Sequence, residues 1–473
     1  MMASLAPHAR LHLMGIGGFG INPIARVLHE MGYAVSGCDA QESALIPPLR
    51  ALGIPVEIGH AAAHLDRFAP DAVVISSAVT SDNPEVQAAQ ARGIPVYKRS
   101  DILGALMQDK TGIAVAGTHG KTTTTAMIAH LLSVCGLDPT FIVGGVPLDL
   151  GTNARAGSGD AFVIEADEYD RMFMGLRPQI IVLTSLEMDH PDMFARFEDV
   201  RALFGEFLGL LPDDGLLVAC YDDPEVRRLA MQDRAAKHRL LFYGLSIAAE
   251  WNAPFIEPKA GGGSDFTVSY REEQGPGEFI VGSHRASIRL PGEHNVRNAL
   301  AALAVAAQMN VPLDQAVAAL ATFSGTGRRF EVKGEARGVT VIDDYAHHPT
   351  AIRATLAAAR ARYGDRPMWA VWQPHTFSRT RALLAEFAAA FAAADHVIVT
   401  DVYRSRDTDD YGITPGGVLA RMDHPDARHV GTLDEVVAYL AARVQPGDVV
   451  IVMSAGDATR VGAELLAALA AQQ

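Results

Sequence analysis

One short segment constrains the fold of this chain more than any other. An apolar run at residues 112–116 leads directly into Gly117-Thr118-His119-Gly120-Lys121-Thr122-Thr123, and a helical pattern follows. A glycine-lined turn at a helix N-terminus presents backbone N–H groups and the positive end of the helix dipole to phosphate oxygens. In such a loop Lys121 would neutralise phosphate charge, and the Thr122 hydroxyl would ligate Mg²⁺. The segment therefore predicts a phosphate-binding loop, although Val115 stands where the strict pattern has glycine.

A second glycine-rich turn lies near the N-terminus. A strand-like run at residues 11–14 is followed by Gly15-Ile16-Gly17-Gly18-Phe19-Gly20, and the next strand ends at Asp39. The pattern GxGxxG with an acid at this spacing is typical of NAD-binding units, in which the acid binds a ribose. Any tight turn against a diphosphate needs the same glycines, so a UDP-sugar fits equally well. A purely structural turn remains the alternative.

Strand-like and helical segments alternate along most of the chain, which predicts an α/β fold. A length of 473 residues exceeds one hydrophobic core and favours about three domains. We expect a first domain at residues 1–107 with a parallel sheet, a central domain at 108–325 that carries the phosphate loop and a β-rich insertion, and a third α/β domain at 326–473. A hinge is expected near residues 325–327.

Composition excludes several function classes. The net charge of −15 opposes non-specific binding to nucleic acid or to anionic lipid. Three cysteines, Cys38, Cys135 and Cys220, show no CxxC spacing, so neither a disulfide framework nor a thiolate zinc site is indicated. No signal-like segment or long apolar stretch occurs, so a cytoplasmic protein that binds neither nucleic acid nor membrane is expected.

Two acidic clusters follow predicted strands of the central domain. They are Glu165-Ala166-Asp167-Glu168-Tyr169-Asp170 and Glu187-Met188-Asp189-His190-Pro191-Asp192. Ligands of open α/β sheets bind at the carboxyl ends of the strands. Carboxylate oxygens suit Mg²⁺, and one imidazole can complete its coordination, so Glu165 and His190 are candidate metal ligands. A solvated acidic loop is the alternative.

Four further motifs complete an ordered set, and each alone would be uninterpretable. They lie at residues 292–298, 327–330, 343–349 and 373–380. Together with the earlier motifs, and in this order, they resemble the Mur ligase family, whose members use ATP to join an amino acid or peptide to a UDP-muramyl precursor. The resemblance spans nearly the whole chain. It implies an N-terminal Rossmann-like domain that binds UDP-muramate, a central ATPase, and a C-terminal Rossmann-like domain that closes over ATP.

The resemblance also implies roles for individual residues. The UDP-sugar would be bound by Gly15, Gly17, Gly18, Gly20, Asp39, Ser76 and Ser77. ATP would be bound by Gly117, Thr118, His119, Gly120, Lys121, Thr122, Thr123, His294, Asn298, Arg329, Asp343 and Asp344, with His294 and Asn298 at the adenine and Asp343 or Asp344 at the ribose. Catalysis is assigned to Lys121, Glu165 and His190, and Mg²⁺ binding to Thr122, Glu165 and His190. The incoming amino acid would be oriented by His347, His348, His375 and Arg379.

The reaction implied is ATP-dependent ligation of L-alanine to UDP-N-acetylmuramate through an acyl phosphate, in a monomer or homodimer. The runs at residues 327–330, 378–380 and 454–457 favour alanine, whereas the two acidic clusters also resemble a ligase that attaches a recycled tripeptide. An NAD-dependent oxidoreductase is a remote alternative that leaves residues 117–123 unexplained. A non-catalytic UDP-sugar sensor would have no need of Lys121, Glu165 and His190.

Overall fold

The N-terminal part of the chain forms a five-stranded parallel sheet. The computed structural model describes residues 6–236, 238–275 and 278–472. The first elements are β1 (Arg10–Met14), α1 (Asn22–Glu30), β2 (Ala34–Asp39), α2 (Ile46–Ala51), β3 (Val56–Ile58), α3 (Ala63–Phe68), β4 (Ala72–Ile75), α4 (Pro84–Ala91), β5 (Val96–Lys98) and α5 (Arg99–Leu106). The strand order is β3-β2-β1-β4-β5. The order reverses between β1 and β4, which is where open α/β sheets bind ligands.

Strand β1 is buried on both faces, and its alternating side chains enter two different cores. Leu11 and Leu13 pack with α1 in one core. Met14 packs on the opposite face with Leu65 of α3 and Val86 of α4. This arrangement follows from the period of two in a strand that helices cover on both sides.

The central part forms an eleven-stranded mixed sheet. Its elements are β6 (Thr111–Ala116), α6 (Lys121–Val134), β7 (Thr140–Ile142), β8 (Ala154–Arg155), β9 (Ala161–Glu165), a 3₁₀ segment (Tyr169–Gly175), β10 (Ile180–Leu183), α7 (Phe197–Leu208), β11 (Leu216–Cys220), α8 (Pro224–Ala236), β12 (Arg239–Gly244), β13 (Trp251–Asn252), β14 (Ile256–Pro258), β15 (Ser264–Gly275), β16 (Glu278–Ile288), α9 (Glu293–Gln308) and α10 (Leu313–Leu320). Strand β6 lies between β10 and β9, so the phosphate loop leaves the middle of the sheet. Residues 122–132 of α6 are all buried, since this helix packs between the sheet and α9.

The C-terminal part forms a six-stranded sheet in the order β17-β18-β22-β19-β20-β21. Its elements are β17 (Glu331–Ala336), β18 (Val339–Asp344), α11 (Pro349–Tyr363), β19 (Met368–Trp372), α12 (Phe377–Ala382), α13 (Leu384–Ala388), β20 (His396–Val399), α14 (Pro415–Leu419), β21 (Ala427–His429), α15 (Leu433–Ala441), β22 (Val449–Met453) and α16 (Thr459–Ala470). Strand β17 is antiparallel to β18, whereas the other neighbours are parallel. Helices cover both faces of this sheet, and the sheet separates two hydrophobic cores.

The predicted fold class is confirmed, and the differences concern single elements. The strands predicted at residues 368–372 and 449–453 have the predicted bounds. Strands β11 and β12 were not predicted. Helix α9 begins at Glu293, five residues before the predicted start at Asn298, because Gly292 with φ of +93° directly precedes its first turn. The exact domain boundaries stay a prediction. Within the described residues, no helix is both long and apolar enough to cross a membrane.

Candidate active site

The phosphate loop joins β6 to α6. Gly117 and Gly120 have φ of +131° and +82°, a region that side chains with a Cβ rarely adopt. A Cβ at Gly117 would lie 2.2 Å from Thr184 Oγ1, so only glycine fits between the loop and the end of β10. The backbone N–H of Thr118 donates to the carbonyl of Ser185 at 2.8 Å. The sequence thus places a tight, donor-rich turn at the helix N-terminus, as predicted for a phosphate cradle.

Lys121 lies inside this loop. Its Nζ donates to the carbonyl oxygen of Gly117 and forms an ion pair with Glu168 at 3.0 Å. Burial disfavours the ammonium ion, but the carboxylates of Glu168 and Asp167 outweigh burial and raise the pKa of Lys121. Burial also raises the pKa of Glu168 to about 7, and the Lys121 charge only partly opposes this shift. Lys121 therefore carries a positive charge, and an incoming phosphate could replace Glu168 as its ion-pair partner.

Candidate metal ligands converge beside the loop. Thr122 Oγ1 donates to Glu165 Oε1 at 2.9 Å, and the other carboxylate oxygen accepts from the backbone N–H of Gly144 at 2.7 Å. Arg329, from the C-terminal part, donates to Thr122 Oγ1 at 3.0 Å. His190 Nε2 lies 3.9 Å from Glu168 Oε1, and burial lowers the pKa of this imidazole. Thr122, Glu165 and His190 line the same cavity. The carboxylate and hydroxyl oxygens suit a hard divalent ion, and a neutral imidazole in the same cavity is a further donor.

Several side chains connect the central sheet to the C-terminal sheet across the cavity. Arg379 Nε donates to Asp189 Oδ1 at 2.7 Å, and both side chains are almost fully buried. Burial alone would raise the pKa of Asp189, but the Arg379 guanidinium holds that pKa well below its ordinary value. Thr350 Oγ1 donates to Glu187 Oε2 at 2.8 Å. These contacts place α11 and α12 directly over the loops that follow the central strands.

Three histidines of the C-terminal part lie at this boundary. Burial lowers the pKa of His348 and of His375 to about 4, and it lowers the pKa of His347 well below the ordinary value. The rings of His347 and His375 are 6.0 Å apart. All three imidazoles are therefore neutral at pH 7. His347 Nδ1 donates to the carbonyl oxygen of Tyr345, which leaves its Nε2 as an acceptor. By contrast, His348 Nδ1 already accepts from the Thr350 N–H, and His375 Nδ1 accepts from Arg379.

The nucleobase candidates lie on α9, on the other side of the phosphate loop. Burial lowers the pKa of His294 to about 4. A Cβ at Gly120 would lie 2.8 Å from Asn298 Oδ1, so this amide borders the loop. Asp344 lines the cavity, whereas the Asp343 carboxylate accepts from Thr459 Oγ1 at 2.6 Å on the side of α16. Of the two candidate ribose-binding acids, Asp344 alone lines the cavity, and its two carboxylate oxygens accept from the N–H groups of Phe330 and Ala346 at 2.7 Å each. Which acid binds the ribose stays a prediction.

One cavity of about 550 Å³ collects most of these groups. It is lined by the predicted residues Thr118, His119, Gly120, Lys121, Thr122, Thr123, Glu165, His190, His294, Asn298, Arg329, Asp344, His347 and His348. Gly117, Asp343, His375 and Arg379 are not among the lining residues. The individual roles of these residues stay predictions.

The N-terminal glycine turn lies at a separate position. Asp39 Oδ2 accepts from the backbone N–H of Gly17 at 2.8 Å. A Cβ at Gly15 would lie 2.6 Å from Ser76 Oγ, and one at Gly20 would lie 2.2 Å from Arg99 Nη1. The turn is therefore packed closely against the end of β4 and the start of α5, and Ser77 beside it is exposed.

Two site residues were not found by sequence reasoning. Arg99 lies behind Gly20, is largely buried, and has its Nη2 at 3.7 Å from Asp167 Oδ2 of the central part. Arg406 donates to Asp192 at 2.8 Å, and its guanidinium lies 4.4 Å from the centroid of the Tyr169 ring. Both are single arginines outside any motif, so no local pattern in the sequence marks them.

The loop, its acidic neighbours and the shared cavity define a phosphate-loop α/β enzyme. Three models of one family match successive parts of the chain: "Mur ligase family, catalytic domain" at residues 10–111, "Mur ligase middle domain" at 115–306 and "Mur ligase, glutamate ligase domain" at 328–456. The chain is 45% identical over 471 residues to UDP-N-acetylmuramate–L-alanine ligase of Renibacterium salmoninarum, covering 99% of this chain and 98% of that protein. It is 42% identical over 465 residues to the ligase of the same name from Geobacter sp. (strain M21), covering 98% of each. This chain belongs to the Mur ligase family.

Solved structures agree with this assignment. The UDP-N-acetylmuramate-alanine ligase of Thermotoga maritima is similar with a TM-score of 0.78 and 28% identity, covering 98% of this chain and 100% of that one. A murein peptide ligase of Psychrobacter arcticus is similar with a TM-score of 0.73 and 26% identity, covering 98% and 99%. Both are similar to this chain over all three of its sheets.

Proposed function

We propose that this enzyme joins L-alanine to the carboxylate of UDP-N-acetylmuramate while converting ATP to ADP and phosphate, in the synthesis of peptidoglycan precursors. The relatives that match almost the full length carry names for this reaction. The proposed substrates are cytoplasmic metabolites, so we place the enzyme in the cytoplasm. The observation that carries the proposal is the cavity of about 550 Å³, whose lining combines Lys121, Glu165 and His190 of the central part with His347 and His348 of the C-terminal part.

The nucleotide would enter the cavity with its phosphates on the loop. The N–H groups at the start of α6 and the Lys121 ammonium would bind the β- and γ-phosphates, and Glu168 would lose its ion pair with Lys121 in exchange. His294 and Asn298 would contact the adenine. The uncharged His294 ring suits a nucleobase because no charge has to be desolvated.

The residues around Thr122 fit a magnesium ion. Glu165, Thr122 and His190 would hold it, since they offer a carboxylate, a hydroxyl and a neutral imidazole next to the phosphate site. When bound, Mg²⁺ supplies positive charge that screens ATP from the anionic sugar substrate.

The UDP-sugar would lie on the N-terminal turn. Gly15, Gly17, Gly18 and Gly20 would form the tight turn that binds the diphosphate, since a Cβ at Gly15, Gly17 or Gly20 would collide with neighbouring side chains. Arg99 brings a positive charge to the same turn. Asp39 would hold the turn in shape through the Gly17 N–H, and Ser76 and Ser77 would border the uracil. The contact between Arg99 and Asp167 connects this turn to the central part.

The reaction would run in two steps. An oxygen of the muramate carboxylate attacks the γ-phosphorus, ADP leaves, and an acyl phosphate forms, with Lys121 stabilising the developing negative charge. The neutral amine of L-alanine then attacks the acyl carbon, and phosphate leaves as the amide forms. His347 would accept a hydrogen bond from the amine through its Nε2, since its Nδ1 donates to a carbonyl oxygen. His348 and His375 would border the amino acid, and Arg379 would hold His375 in position from its buried pair with Asp189.

Phosphate release from ATP and Mg²⁺ with UDP-N-acetylmuramate tests the proposal. We expect release with L-alanine, and a product whose mass corresponds to the alanyl sugar nucleotide. Release only with the L-Ala-γ-D-Glu-diaminopimelate tripeptide would contradict the choice of substrate and would identify a recycling ligase.

Lys121→Met is the matched test of the phosphate site. We expect it to abolish phosphate release, because the loop then holds no cation for the β- and γ-phosphates. Lys333→Met removes a lysine that also pairs with a glutamate, Glu331, but lies outside the cavity, and it should leave turnover unchanged. Unchanged turnover in Lys121→Met would contradict the ATP site.

A further inference from the structure

One face of the N-terminal sheet carries a cluster of side chains that the proposed reaction does not use. His12 lies on β1, Cys38 on β2, His64 on α3 and Glu85 in the first turn of α4. His12, Cys38 and Glu85 are completely buried, and the side chain of His64 is only 14% exposed. A buried carboxylate is costly unless it is paired or coordinates a metal. Glu85 Oε2 accepts from the N–H of Ala61 at 3.3 Å, and within the described residues the other hydrogen bonds of this carboxylate come from the cluster itself.

The four side chains converge on a small volume. One potential ligand atom from each lies within 4.8 Å of the others. Glu85 Oε1 is 2.7 Å from His12 Nε2, and Glu85 Oε2 is 3.2 Å from His64 Nδ1 and 3.4 Å from Cys38 Sγ. Ligand atoms around a tetrahedral zinc ion are separated by roughly 3.3–3.8 Å, given bonds of about 2.0–2.3 Å. Small side-chain adjustments would therefore enclose an ion.

The orientation of His12 also points to a ligand. Its Nδ1 is 2.9 Å from the Ser36 hydroxyl, which fixes the ring and leaves Nε2 facing Glu85. Metal-binding histidines are commonly oriented in this way through their other nitrogen. Despite their short separation, His12 Nε2 and Glu85 Oε1 are both buried and lack a well-directed hydrogen bond among the described residues.

We propose that His12, Cys38, His64 and Glu85 bind one divalent transition-metal ion of the zinc class. Nitrogen, sulfur and carboxylate donors together suit zinc, and the thiolate in particular is a ligand that zinc accepts and Mg²⁺ does not. Four protein ligands would fill a tetrahedral site, which is typical of a structural site. His60 borders this site, with its Nδ1 at 3.3 Å from Cys38 Sγ and 3.8 Å from Glu85 Oε2. Binding would release the thiol proton of Cys38. Without an ion, burial and the nearby Glu85 carboxylate raise the pKa of this thiol far above its ordinary value.

The ion would stabilise the strand end that holds the glycine turn. The carbonyl oxygen of Cys38 accepts from the N–H of Gly15 at 2.8 Å and from that of Ile16 at 3.2 Å. The next residue, Asp39, accepts from Gly17. The inference does not depend on which substrate the turn binds. No spacing rule reveals it, because the four ligands come from four separate elements.

Cobalt loading of the full-length protein tests the site. After removal of metal by a chelator, we expect Co²⁺ to give a thiolate-to-cobalt charge-transfer band, and elemental analysis after zinc loading to give a tightly held ion. Cys38→Ser should lose the band. Cys220→Ser is the matched control, because Cys220 is also buried but lines the active-site cavity, and it should keep the band.

Thermal unfolding gives a second readout that does not depend on activity. An ion that binds only the native state raises the midpoint of unfolding, so zinc should stabilise the wild type and Cys220→Ser but not His64→Gln. His64 lies at the edge of the cluster, so this variant also serves if Cys38→Ser does not fold. No retained zinc, or a cobalt band that survives Cys38→Ser, would overturn the proposal and leave a hydrogen-bonded cluster around Glu85.

Discussion

The buried ion pair between Arg379 and Asp189 allows a prediction with a definite magnitude. The two side chains are 3% and 10% exposed, and the Nε–Oδ1 distance is 2.7 Å. Removing one partner of a buried pair costs about 3–5 kcal/mol, because the remaining charge is stranded. Arg379 belongs to α12 and Asp189 follows β10. Losing the pair therefore destabilises the state in which the central and C-terminal sheets are in contact.

Because catalysis by the proposed mechanism needs that arrangement, we expect Arg379→Ala to lower kcat/KM by roughly 10²- to 5 × 10³-fold in the phosphate-release assay. The double variant Arg379→Ala with Asp189→Asn no longer has a stranded charge, so its kcat/KM should be about tenfold higher than that of Arg379→Ala alone. Arg428→Ala is the matched control, since its pair with Asp426 is on the surface. It should stay within about threefold of the wild type, because exposed pairs contribute roughly 0–1 kcal/mol.

Two outcomes would refute this reasoning. An Arg379→Ala variant within about threefold of the wild type would mean that the pair contributes little to the catalytic arrangement. An equal loss in the single and the double variant would mean that the lost guanidinium contacts matter, including the hydrogen bond to the carbonyl oxygen of His375 at 2.8 Å, and not the stranded charge of Asp189.

Two further predictions follow from the cavity. Gly117→Ala should reduce ATP affinity by at least about tenfold in calorimetry. Gly117 has a φ of +131°, and the added Cβ would lie 2.2 Å from Thr184 Oγ1. Unchanged affinity would contradict the loop geometry. Burial lowers the pKa values of His294 and His348 to about 4. As pH falls from about 6.5 towards 4, these two histidines take up protons in the unfolded chain but stay neutral in the folded one. The folded state therefore loses stability over this pH range. The midpoint of thermal unfolding should drop over this range. The dependence of this midpoint on pH should be weaker in His348→Gln, whereas His8→Gln, at an exposed histidine, should leave it unchanged. Equal pH dependence in His348→Gln and the wild type would contradict the buried neutral state of His348.

Local motifs could be predicted from the sequence, because short-range chemistry determines them. The turn at residues 117–123 needs glycine for its backbone and a lysine for phosphate, and both requirements are visible within seven positions. The same holds for the turn at residues 15–20. Strands such as β19 and β22 were predictable because they are buried on both faces and read as continuous apolar runs.

Contacts between distant positions could not be predicted, because they depend on how the sheets pack. Lys121 and Glu168 are 47 positions apart, and nothing in the acidic cluster shows that Glu168 rather than Asp167 forms the ion pair. Arg99 is positioned only by the contact of α5 with the glycine turn and with the central part. The absence of CxxC spacing indicated no thiolate zinc site, but spacing carries no information on Cys38, whose neighbours come from three other elements.

Asp39 shows how the structure separates two interpretations that the motif alone left open. In a dehydrogenase this acid would accept hydrogen bonds from ribose hydroxyls. Here its Oδ2 accepts from the N–H of Gly17 at 2.8 Å, so the carboxylate stabilises the turn itself. The buried guanidinium of Arg99 lies against Gly20, and it adds positive charge where a diphosphate would approach. We therefore propose that this turn binds the diphosphate of a UDP-sugar and that Asp39 stabilises the turn instead of selecting a ribose.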